Sequence, residues 1–157
     1  CMGDRGAALE QAESALNEYR QNIMKYLNWL TENPDRIEEL ESIYVVHGEN
    51  SIDEKMISTI STMLSTSLPK LSKPVIAYSI VPDEDVIKIS ARANDMLIRG
   101  GLNIGEIIRI AAEKSSGKGG GHNIAAGAQV PYDRKNDFIK LVNDLVKENL
   151  ERTALEG

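Results

Sequence analysis

The chain has 157 residues, 41% of them hydrophobic and 27% charged, with a formal net charge of −6. That is enough apolar material for one packed domain, or one domain with a helical arm, without disulfides or a structural metal. The negative balance excludes a protein that coats nucleic acid by bulk electrostatics, so any nucleic-acid contact has to be local. No apolar run approaches the roughly 20 residues of a membrane helix, and nothing near the start resembles a signal peptide. The single cysteine, Cys1, can form no internal disulfide, and a reducing cytoplasm is the expected compartment. Cys1 ahead of Met2, and Leu155-Glu156-Gly157, look like expression-vector remnants.

Residues 7–30 read as one long helix. Leu9, Ala12, Leu16, Tyr19, Ile23, Tyr26 and Leu30 recur at spacings of three and four, with charges between them. An amphipathic helix on its own domain, a coiled-coil seam and an interdomain connector would all carry this stripe. Asn33-Pro34-Asp35 ends it, placing a boundary between a helical arm (1–35) and a domain (36–157). A short helical piece is expected from Arg36 to Glu41, then a buried strand at Ile43–His47. Ser51 and Glu54 make a capping-box pattern for a helix whose inner face carries Ile52, Met56, Ile57, Ile60, Met63 and Leu64. A second apolar strand, Val75–Ile80, completes a parallel βαβ unit.

Pro82-Asp83-Glu84-Asp85 has turn composition, and the alternation from Val86 to Arg92 then predicts an antiparallel hairpin partner for that strand. Ile87, Ile89 and Ala91 share one of its faces; Lys88, Ser90 and Arg92 share the other. Asn103 and Glu106 mark the start of a helix that Gly117 ends. After the glycine-rich stretch 117–127, Gln129-Val130 reads as a short strand and 134–150 as a last amphipathic helix. The expected architecture is an α/β fold with a mixed parallel/antiparallel sheet of about four to five strands and helices on both faces, preceded by a long helix.

Four glycines within residues 117–121 need a physical reason, since glycine loses more conformational freedom on folding than any other residue. One reason is close approach of backbone N–H groups to an anion, with the small residues after His122 opening a short helix and Lys118 and His122 adding donors. A plain flexible turn fits the composition equally well. Two nucleotide motifs fail: a Walker loop would need glycine at Ala112, and the dinucleotide fingerprint would need it at His122 or Ile124. Arg92 is a second candidate, because its planar fork suits phosphate oxygens; the alternative is a solvated strand face. His47 reads as a satisfied core or edge histidine, and Asp83 and Asp85 as turn formers. Two histidines 75 positions apart do not make a metal shell, and no serine or cysteine stands in a nucleophile context.

The run Gly119-Gly120-Gly121-His122-Asn123-Ile124-Ala125-Ala126-Gly127 resembles the G-G-G-H-x-x-A-A-G signature of the DHH-associated domain. Val45-Val46-His47-Gly48 before a helix, Pro74-Val75-Ile76 and Ile89-Ser90-Ala91-Arg92 extend the resemblance over about residues 43–131. In that family, as in RecJ-like single-strand exonucleases, a separate DHH domain carries manganese and cuts the phosphodiester. The associated domain closes over the substrate; a version also ends alanyl-tRNA synthetases. The resemblance implies phosphate contacts at Arg92, Gly119, Gly120, Gly121 and His122, and proximity adds Lys118. It implies no cofactor and no catalytic residue in this chain, and no partner in a membrane. The expected partners are single-stranded nucleic acid, or another short phosphodiester such as a cyclic dinucleotide or oligoribonucleotide, and the DHH domain that this chain lacks. A fragment of a longer phosphoesterase is the expected origin. The other reading is an interaction module that forms homodimers through the 9–30 helix.

Overall fold

A computed structural model describes residues 2–156, with the side chains of 6–155; Cys1 and Gly157 of the Leu155-Glu156-Gly157 segment lie outside what it describes. The chain divides into two compact units, Cys1–Pro34 and Asp35–Gly157. The first is a single helix, α1 (Met2–Glu32), which stops at the expected Asn33-Pro34. Several of its stripe positions, Leu9, Leu16 and Tyr19, are exposed.

The second unit is built on a six-stranded sheet in the order β1-β2-β3-β4-β6-β5. The strands are β1 (Ile37–Glu39), β2 (Tyr44–His47), β3 (Val75–Val81), β4 (Val86–Arg92), β5 (Lys118–Gly121) and β6 (Ala125–Pro131). Only β2 and β3 run parallel, joined through α2 (Ile57–Leu64) as the βαβ pattern predicts. All other pairings are antiparallel. Asp83 and Asp85 take positive φ values of 65° and 52° in the tight β3–β4 turn, the left-handed conformation that aspartate tolerates.

Alternation along the strands separates two faces. Ile76, Tyr78, Ile87, Ile89, Ala91, Ala128 and Val130 join the main core with Ile104 and Ile108 of α4 (Ile104–Lys114) and Phe138, Val142 and Val146 of α5 (Lys135–Glu156). The opposite face receives α2, whose Ile57, Ile60 and Leu64 are buried and whose Ser61 hydroxyl bonds the Ser90 hydroxyl at 2.8 Å. Helices therefore cover both faces, as expected. A short α3 (Asp95–Arg99), capped by Asn94, links β4 to α4.

Three local expectations are corrected. The helical piece expected over 36–41 does not form: Arg36 closes a 3-10 turn (Pro34–Arg36) that leads into β1, and Lys70 and Lys73 clasp Glu39 at 2.7 and 2.6 Å. Tertiary pairing overrides the helical propensity of a Glu-rich run, and β1 together with β5 raises the strand count to six. Ser51 does not cap α2. The helix begins at Ile57 behind Met56, which offers no side-chain cap, because residues 49–56 turn tightly on Ser51 N–H to Gly48 C=O and Lys55 N–H to Asp53 Oδ1. Finally, no helix follows His122. The glycine stretch is β5, and Ala125–Pro131 is a full strand where only Gln129-Val130 is expected.

Candidate functional site

Of the residues singled out in the sequence, Arg92, Lys118, Gly120 and His122 fall in register on one face of the β4–β6–β5 half of the sheet, the face that α2 covers only at its β4 side, whereas Gly119 and Gly121 belong to the alternate positions on the face packed by α4. Directly opposed residues of neighbouring strands project to the same face, so the register places them in rows. The first row runs Arg92–Ala125–His122: Arg92 pairs with Ala125, and His122 N–H donates to Ala125 C=O at 2.8 Å, extending the β5–β6 ladder by one step. The second is Ser90–Gly127–Gly120 and the third Lys88–Gln129–Lys118. Glycine thus occupies both open positions of the middle row and leaves bare backbone between two rows of donors. A groove of about 370 Å³ lies over the lower part, lined by Lys88, Ile89, Lys118, Gly127, Ala128 and Gln129.

The local chemistry of these side chains differs. Arg92 is half-buried and held by its Nε–H, which donates to Thr62 Oγ1 at 2.8 Å, leaving its terminal nitrogens for a ligand. Ser90 is buried and engaged with Ser61. Lys88 stands 3.7 Å from Glu54. Lys118 and His122 are exposed, and among the described residues neither side chain has a hydrogen-bond or ionic partner.

The three consecutive glycines serve the hairpin in different ways. A Cβ on Gly119 would lie 2.6 Å from Ala128 Cβ and 3.2 Å from Ala112 Cβ, so this glycine lets α4 lie close against β5. A Cβ on Gly121, whose φ is +159°, would meet Ala125 O at 2.5 Å. A Cβ on Gly120, at φ +152°, would meet only Arg109 Cβ of α4, at 4.0 Å. Since His122 and Ala125 form a hydrogen-bonded pair, antiparallel alternation directs the N–H groups of Gly119 and Gly121 away from β6.

Backbone bonds hold the 122–124 loop from two sides. Ala93 N–H donates to Ile124 C=O at 2.9 Å, and Ile104 N–H, at the start of α4, donates to Asn123 C=O at 3.1 Å. Gly105 permits this docking, since a Cβ there would come within 2.6 Å of the carbonyl oxygens of both Gly121 and His122. The Asn103 side chain caps Glu106 N–H, as expected. The nearest helix terminus is therefore occupied by hairpin carbonyls and its own cap.

A second polar cluster lies at the other end of the sheet. His47 Nδ1 lies 2.7 Å from Tyr78 Oη, Tyr78 donates to Glu49 Oε1 at 2.8 Å, and Lys135 donates to the same oxygen at 2.9 Å. Because the single Tyr78 proton goes to Glu49, His47 is the donor to Tyr78. Burial alone would raise the Glu49 carboxyl, but the bonds from Lys135 and Tyr78, with the Lys135 charge, hold it below the ordinary carboxylate range. Burial, and then the bond to Glu49, push the Tyr78 phenol up. His47 is thus a satisfied histidine at the end of an interior strand, in keeping with its reading as a satisfied core or edge residue. Its own partners, Tyr78 of β3 and Glu38 of β1, whose Oε1 lies 3.0 Å from His47 Nε2, carry no local signal, because they reach it from neighbouring strands. Among the described residues no three His, Cys, Asp or Glu side chains gather as metal ligands. This donor set does not fit a metal centre. Among them, too, no helix is long and apolar enough to cross a membrane.

Residues 41–148 match the DHHA1 domain, and the chain belongs to that family, the C-terminal domain of DHH-family phosphoesterases. An uncharacterized protein of Methanocaldococcus jannaschii is 34% identical over 152 residues, which take in 97% of this chain and 31% of that protein. The chain thus spans about a third of its relative's length. Among solved structures, the C-Ala domain of Aquifex aeolicus alanyl-tRNA synthetase superposes with a TM-score of 0.56 at 19% identity, covering 70% of this chain and 96% of that one. The pGpG-specific phosphodiesterase PggH of Vibrio cholerae gives 0.53 at 14%, covering 85% and 43%. The DHH domain of a member of a ribosomal-protein family gives 0.52 at 18%, covering 90% and 32%. At these identities the likeness is one of fold.

Proposed function

We propose that this chain is the substrate-holding domain of a RecJ-like DHH-family phosphoesterase, gripping the backbone of single-stranded nucleic acid while a separate, manganese-bearing DHH domain cuts the bond. One observation carries the reading. The row Arg92–Ala125–His122 sets two donors on one sheet face with only a methyl group between them. A phosphate oxygen seated over Ala125 would meet the Arg92 fork from one side and the His122 ring from the other, with a bare glycine row beside it. The chain's own part is to bind and orient; no residue of the site is assigned to bond cleavage. Aromatic residues make up only 4% of the chain, which favours a site that holds backbone over one that stacks bases, with weak sequence preference.

Titration of the chain with a labelled single-stranded oligonucleotide at low salt tests this reading. Arg92→Ala and His122→Ala should each weaken binding, by about tenfold for the arginine if it makes a charge-assisted contact of ~1.5 kcal/mol. Equal affinity of both variants and the unsubstituted chain would reject the site. A second reading, an interaction module that pairs through α1, draws on the exposure of Leu9, Leu16 and Tyr19 at heptad-like spacing. It predicts a concentration-dependent dimer in light scattering that Leu9→Glu with Leu16→Glu abolishes.

A further inference from the structure

We infer that the site extends from Arg92 as a track along β4, β6 and β5 for three successive phosphates of a single strand, ending at Lys118. This rests on the phosphate-gripping reading above and adds the length and direction of the ligand. The open rows, Arg92–His122, Gly127–Gly120 and Lys88–Gln129–Lys118, lie two residues apart along the strands. At a rise of ~3.4 Å per residue they repeat every ~6.8 Å, comparable with the step between successive phosphates of an extended strand. Charge complementarity favours a polyanion as the occupant. Lys118 has no partner among the described residues, Lys88 is only loosely held by Glu54 at 3.7 Å, and Gln129 offers an amide between them.

The middle row explains why the track is passable. A side chain on Gly127 would stand up between the donor rows, and Gly127 has none; Gly120, paired with it across β5 and β6, adds no side chain either. At Gly127 no steric demand of the fold imposes this, since an added Cβ would find its nearest neighbour, Ile89 O, at an ordinary 3.5 Å. The length is bounded as well. Beyond Lys88 the β3–β4 turn carries Asp83, Glu84 and Asp85, which would repel a further phosphate.

The test compares two single-stranded DNA probes, one with two phosphates and one with three, by fluorescence anisotropy at low salt. Lys118→Ala should weaken the three-phosphate probe by about fivefold, the worth of one exposed charge contact of ~1 kcal/mol, and leave the two-phosphate probe unchanged. Gly127→Leu should weaken both, and circular dichroism should show its fold intact. Should Lys118→Ala bind the three-phosphate probe like the unsubstituted chain while Arg92→Ala does not, the track is wrong and the grip at Arg92 stands. Should Arg92→Ala leave both probes unaffected, the underlying site fails and the track with it.

Discussion

Tyr78 ties a buried ring to a polar network that spans three elements of the domain. Its ring is 1% exposed within the main core, its hydroxyl joins His47 to Glu49, and Lys135 lies over the ring at 5.3 Å. Tyr78→Phe keeps the ring and the edge-to-face contact with His47 but leaves Glu49 and His47 each one bond short. We expect a loss of about 1–3 kcal/mol in denaturant unfolding, the range for a buried bond to a charged group. The pH dependence follows from the direction of the shifts. Glu49 is held below its ordinary value of 4.5, so its contribution is fully present above that pH and disappears as pH falls through the lower folded value. Tyr78 is raised above its ordinary 10.0, so its contribution is complete below pH 10 and declines as pH rises beyond it. Lys135→Met removes the leading partner that lowers Glu49 and leaves burial, which raises it, opposed chiefly by the Tyr78 bond. That variant should be less stable at neutral pH and should lose little further stability on acidification. An acid limb identical to that of the unsubstituted chain would contradict the assignment.

The β5–β6 hairpin and α4 form one interlocked element, and its glycines can be ranked by what a methyl group would strike. Gly105→Ala would normally stabilise a helix by up to ~1 kcal/mol, yet here the Cβ would lie 2.6 Å from two carbonyl oxygens. The expected result is a net loss, with faster amide exchange at Ile104, whose N–H holds Asn123 C=O. Gly121→Ala, at φ +159° and 2.5 Å from Ala125 O, should cost about 1–3 kcal/mol, whereas Gly127→Ala should fall within ~0.5 kcal/mol of the unsubstituted chain. Thermal melts of the three variants check the order. The same element marks how far sequence reasoning reaches. Period-two alternation correctly put Lys88, Ser90 and Arg92 on one face of β4, and the Asn103–Glu106 spacing found the cap of α4. The glycine run lacks side chains, and therefore lacks the alternation by which a strand is recognised; it read as a loop opening a helix. Gln129 and Gly127 went unassigned for a related reason. Their place beside Lys118 and Arg92 is set by cross-strand register, a long-range property of three strands. The Glu-rich 37–39 strand failed for the opposite reason, strong local helical preference reversed by Lys70 and Lys73 from a distant loop.

At the scale of the whole chain, the net charge of −6 and the basic track pull in opposite directions, and salt dependence separates them. A surface of that sign repels a polyanion at long range, and screening relieves this as salt rises. The cationic contacts at Arg92, Lys88 and Lys118 displace counterions from the nucleic acid, which weakens binding as salt rises. For a single strand each neutralised phosphate contributes about −0.7 to the slope of log K against log salt, so three contacts predict a slope of about −2. The long-range repulsion can only make the observed slope shallower. Lys118→Ala should bring it to about −1.4, while Lys140→Ala, a change on exposed α5 outside the proposed track, should leave it unaltered. A slope of about −5 or steeper would mean that basic residues far from the three rows engage the strand, which neither the composition nor the register of the sheet supports. A slope near zero, with binding retained, would mean that neutral donors such as the outward N–H groups of Gly119 and Gly121 hold the ligand and that the lysines are bystanders. Measured between about 50 and 200 mM salt, where affinity for a three-contact site changes by roughly 20-fold, the three outcomes are well separated.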